Sequence, residues 1–132
     1  MFHNGDVLLR YFKERNSTVI TRKLSDASVM ENAHNVDARN LYNTEDAMIT
    51  VITLKPGQSL KRHITPVDVA FYVLEGTGVV EIGEEKKEVS EGTLVESPKD
   101  IVHCWYNETG EKLRFMVVKA PRPSKKTVFV GD

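Results

Sequence analysis

The residues of this sequence best suited to chemistry are His63 and His103. An imidazole with a pKa near 6.5 takes or gives a proton at neutral pH, and its bare nitrogen ligates divalent metals. His103 lies in the strand-like run Val102-His103-Cys104-Trp105-Tyr106. Side chains alternate across a strand, so Trp105 shares the face of His103 and Cys104 takes the other. By the same alternation Val69 and Phe71 share one face, and Asp68 turns away from it. Asp68, Glu96 and His34 are further polar groups whose types could ligate a metal. Asp68 would need a β-bulge to turn inward, and Glu96 and His34 would need a geometry the sequence does not specify. A histidine on an apolar face is, taken alone, more often a hydrogen-bonded core residue than a ligand. Lys61 and Arg62, beside His63, read as a solvated surface pair.

Composition sets the frame. The chain has 132 residues, enough for one domain with its own hydrophobic core. With 18 basic and 19 acidic residues the net charge is -1, which predicts no electrostatic grip on nucleic acid or on an anionic membrane. Cys104 is the single cysteine, so no disulfide forms within the chain. The first ten residues lack the basic and apolar segments of a signal peptide, and no apolar run is long enough to span a bilayer. A cytoplasmic location is the expectation.

The elements that must position the histidines are short strands. Ala47 to Leu54 is rich in β-branched residues and stops at Pro56-Gly57. Val69–Leu74, Val79–Ile82, Lys86–Val89, Thr93–Glu96, Val102–Tyr106 and Lys112–Lys119 follow, separated by glycine, proline and asparagine turns. This spacing predicts an antiparallel sandwich or barrel. Residues 1–46 are less regular. Leu8, Leu9, Tyr11 and Phe12 suggest a short helix or an edge strand, Thr18–Thr21 suggests a strand, and Ser28 to Asn43 reads as loop with at most one short strand. The tail Thr127–Val130 offers an edge strand. The expected division is an N-terminal segment at 1–46 packing on the barrel or on a partner subunit, a barrel at 47–123, and a tail or edge strand at 124–132.

The region 47–123 resembles the cupin superfamily. Gly57, His63 and Gly76 fall on the first motif of that family, and Gly92, Pro98, His103 and Asn107 fall on the second. Asp100 replaces the second motif's other glycine. The resemblance implies an all-β fold, a double-stranded β-helix or jelly-roll barrel with both histidines pointing inward. It also implies a site: cupins typically hold a divalent metal with three histidines and a glutamate. Here those four positions are His63, Thr65, Val69 and His103, so two ligands are lost. A catalytic centre usually needs three protein ligands. His63 and His103 are therefore the metal candidates, for zinc, nickel, manganese or iron, with weak or absent affinity expected.

The expected pocket is His63, Thr65, Val69, Phe71, His103 and Trp105, with Trp105 able to wall a small ligand. The leading expectation is a small-molecule-binding cupin with a degenerate metal site. The alternatives are a metal-dependent dioxygenase, decarboxylase or isomerase, and a metal-free isomerase with His63 as base. Small cupins commonly pair, so a homodimer is expected.

Overall fold

A computed structural model of the chain describes residues 18–131. Among these residues, ten strands follow a single 3-10 turn at Leu24–Asp26. They are β1 (Asp37–Asn43), β2 (Met48–Leu54), β3 (His63–Ile64), β4 (Val69–Glu75), β5 (Thr77–Ile82), β6 (Glu85–Ser90), β7 (Leu94–Ser97), β8 (Val102–Tyr106), β9 (Leu113–Lys119) and β10 (Val128–Phe129). They form two five-stranded sheets, β1-β2-β9-β4-β7 and β10-β3-β8-β5-β6, and every pairing between strands is antiparallel.

The two inner faces make the core. On β4 the buried residues are Val69, Phe71 and Val73, and on β9 they are Leu113, Phe115 and Val117, with the intervening side chains less buried. This period of two is what one covered sheet face requires. Trp105 from β8 stacks on Phe115 with ring centroids 4.4 Å apart, and Phe71 meets both edge-on. Each such side chain, fully buried, stabilises the fold by roughly 1.5–3 kcal/mol. The edge strand β6 buries only Val89 and shows charged side chains to solvent, which discourages pairing with other chains.

Motif residues with no chemistry to do hold turns. Gly76 has φ +85°, and a Cβ there would collide with the Lys112 carbonyl oxygen. Asp100, at the family's second glycine position, has φ 65°, a left-handed conformation that Asp tolerates better than most residues do. Asn107 is buried; its Nδ2 donates to the carbonyls of Leu54 and Glu111, and its Oδ1 accepts from Thr109.

The less regular region differs from expectation. Thr18–Thr21 forms no strand; β-branched residues favour strands only where a partner edge accepts them. Asp37–Asn43 is a full seven-residue strand paired with β2. It is an edge strand with only Ala38 buried, so it carries no apolar alternation to read. The suggested element at Leu8–Phe12 lies outside the described residues.

Candidate functional site

β3 and β8 pair so that His63 lies directly opposite His103. Their Nε2 atoms are 2.9 Å apart, and both side chains are buried. His34, from the loop before β1, packs edge-on to His63 at 4.6 Å between ring centroids. These three imidazoles border a cavity of about 150 Å³ between the sheets, which also meets Phe71, Ile52, Val117 and Lys119. Larger depressions, of about 370 to 480 Å³, are surface grooves that hold none of the three histidines.

Hydrogen bonds assign each ring its tautomer. His63 Nδ1 is 2.6 Å from the Lys61 carbonyl oxygen. A carbonyl only accepts, so Nδ1 carries the hydrogen and Nε2 is bare. His103 Nε2 must then donate to it, since two bare nitrogens at that distance would repel. This leaves His103 Nδ1 to accept from the Ser97 hydroxyl at 2.7 Å. Thr65 Oγ1 stands 3.2 Å from His103 Nε2. His34 Nδ1 accepts the Lys61 backbone N–H at 2.8 Å, so its hydrogen sits on Nε2. One peptide residue, Lys61, thus orients two histidines in opposite tautomers.

Electrostatics keep the rings neutral. Burial, followed by the neighbouring His63, lowers the pKa of His103 to about 3 and that of His34 to about 4. His63 is lowered too, chiefly by burial, although its bond to Lys61 opposes this. The Lys119 ammonium contributes to the lowering at all three. Burial lowers the pKa of Lys119 as well.

The other predicted positions separate. Phe71 lines the cavity. Thr65 touches it only through His103, and Val69 is buried but off its wall. Trp105 does not wall the cavity. It shares the face of His103, as alternation requires, but packs in the core on the far side of Phe71. Asp68 accepts the Lys99 N–H outside the barrel, and Glu96 is exposed. Arg62 lies 3.7 Å from Glu81. His34 and Lys119 are the site residues that sequence reasoning did not assign. Lys119 was legible in principle, because it lies in phase with Phe115 and Val117 on β9.

A metal centre of the expected kind does not fit these residues. No group of three His, Cys, Asp or Glu side chains among the described residues is arranged to hold a metal ion. The bare nitrogen of His63 is occupied by the His103 N–H, that of His103 by Ser97, and that of His34 by Lys61. Thr65 and Val69 supply no replacement ligand.

Comparison with known proteins agrees with this architecture. The sequence pattern of the family described as Cupin domain matches residues 50–119. The chain belongs to the cupin family. An uncharacterized protein, MJ0764 of Methanocaldococcus jannaschii, is 30% identical over 86 residues, covering 64% of this chain and 74% of that one. Its crystal structure, described as an RmlC-like cupin with a double-stranded β-helix fold, aligns at a TM-score of 0.65, 25% identity, and 80% and 95% coverage. TT1209 from Thermus thermophilus is 29% identical, with a TM-score of 0.67 over 77% of this cupin and 97% of that chain. The polyketide cyclase RemF from Streptomyces resistomycificus has a TM-score of 0.75 over 87% of each chain at 19% identity, a likeness of fold. This chain is accordingly an all-β, double-stranded β-helix cupin. No helix among its described residues is long and apolar enough to cross a membrane.

Proposed function

We propose that this cupin binds a small organic molecule in the cavity bordered by His34, His63 and His103. The observation that carries the proposal is a set of three imidazoles, held neutral and oriented by hydrogen bonds, around a cavity otherwise walled largely by apolar side chains. Apolar walls with a few fixed polar groups are the usual make-up of a small-ligand site. The family's metal chemistry gains no support from a donor set whose lone pairs are all engaged. A base at His63 would first have to release the His103 N–H.

The test is occlusion. Ala38 is buried on the cavity wall, and Ala38→Leu adds three carbons there. Fragments of up to about ten non-hydrogen atoms are screened by ligand-observed NMR against the wild type and this variant. Hits that bind the wild type and lose binding in the folded variant support the proposal. An empty screen, or hits that bind both proteins equally, overturns it.

A further inference from the structure

Resting on that reading, we propose that the ligand is a small monocarboxylate, with its carboxylate on Lys119 and His34 and its apolar part against Phe71, Ile52 and Val117. Charge is the first argument. Among the described residues, none that lines the cavity is an aspartate or glutamate, and Lys119 is its one lysine or arginine. The Lys119 ammonium makes no hydrogen bond or ion pair with any described residue, although the side chain is only partly exposed. A shielded ammonium without a counter-charge is costly, and a bound anion removes that cost. With the imidazoles neutral, the described residues lining the cavity carry a single positive charge, which matches one carboxylate.

Donor geometry is the second argument. Because His34 Nδ1 accepts from Lys61, its Nε2–H is left as a donor with no partner among the described residues. It cannot serve as a metal ligand without breaking that bond, but it can donate to a carboxylate oxygen. His63 and His103 satisfy each other and form a neutral wall.

Shape is the third argument. His34 and Lys119 are partly exposed, whereas Phe71, Val117 and Ile52 are 2%, 5% and 9% exposed. The donors left without a partner thus lie on the more exposed part of the wall, and its buried part offers apolar side chains beside the mutually paired His63 and His103. A volume of about 150 Å³ is of the order that holds a benzene-sized molecule. The fitting class is therefore a short branched or aromatic monocarboxylic acid.

The experiment uses calorimetric titration with benzoate and isobutyrate and their neutral counterparts, benzamide and isobutyramide. The proteins are the wild type, Lys119→Met and Ala38→Leu, with folding checked by melting temperature. The acids are expected to bind the wild type at least about tenfold tighter than the amides. Lys119→Met should erase that preference, and Ala38→Leu should abolish binding of acids and amides alike. Amides binding as well as acids, or a preference that survives Lys119→Met, overturns the carboxylate assignment while leaving the cavity as a binding site. No binding by any of the four probes overturns both readings.

Discussion

Acidification should destabilise this fold well before its carboxylates titrate, and His103 allows the size of the effect to be worked out. Folded, its pKa is about 3; in an unfolded chain it is about 6.5. The folded form therefore binds fewer protons over that interval. The stability that follows is fully present above about pH 6.5 and is lost as the pH falls toward about 3. At pH 5 the loss is about 1.36 × 1.5, or roughly 2 kcal/mol, and it is the same for any folded value below about 4.5. His63 and His34 act in the same direction. His34 contributes less than its shift suggests, because it is partly exposed and water screens it. For a chain of this size, 2 kcal/mol corresponds to a fall in melting temperature of roughly 6–10 °C.

The assay is thermal unfolding from pH 7 to pH 5 with a chelator present, on the wild type and on His103→Gln. The wild type should lose roughly that much, and the variant's dependence on pH should be visibly shallower, whatever its absolute stability. Nitrogen-15 spectra of the imidazoles supply a second readout, showing His103 with its hydrogen on Nε2 and His63 with its hydrogen on Nδ1. A melting temperature flat between pH 7 and 5, or an equal slope in the variant, would refute the reasoning.

Two further predictions concern the core. The indole Nε1 of Trp105 is buried with no hydrogen-bond partner among the described residues, so Trp105→Phe removes an unsatisfied donor, worth about 1–3 kcal/mol, as it removes volume. The net change in urea unfolding should stay within about 1.5 kcal/mol, and a loss of about 3–5 kcal/mol, typical of truncating such a residue to alanine, would contradict this account. The Cys104 thiol is fully buried, its Sγ donates to the Leu60 carbonyl at 2.9 Å, and burial raises its pKa. It should react with a thiol reagent at pH 8 only as fast as the protein unfolds, and rapid labelling of the native protein would show that the site opens locally.

Much of the frame was legible because strands announce themselves locally. The runs from Ala47 to Lys119 are β-branched and apolar, and glycines and prolines separate them. The strand β1 was legible only as one short strand somewhere within Ser28–Asn43, because an edge strand needs little apolar alternation. The pair His63 and His103 was legible from motif spacing, because that spacing encodes two strands of one barrel. His34 was not, because 29 residues separate it from His63 and only the closed fold brings its ring to the Lys61 N–H.

By itself, then, the sequence determined most of the strands between Ala47 and Lys119, the family and the face on which their side chains fall, since these follow from a period of two and from turn residues. Depth along the barrel belongs to the tertiary structure: parity sets Trp105 on the same side as His103, yet packing seats it behind Phe71, away from the cavity. The tautomers of the three imidazoles and the unpaired state of Lys119 belong there as well. Each depends on which polar atoms lie within about 3 Å, and for His34 and His103 the deciding atoms come from distant parts of the chain.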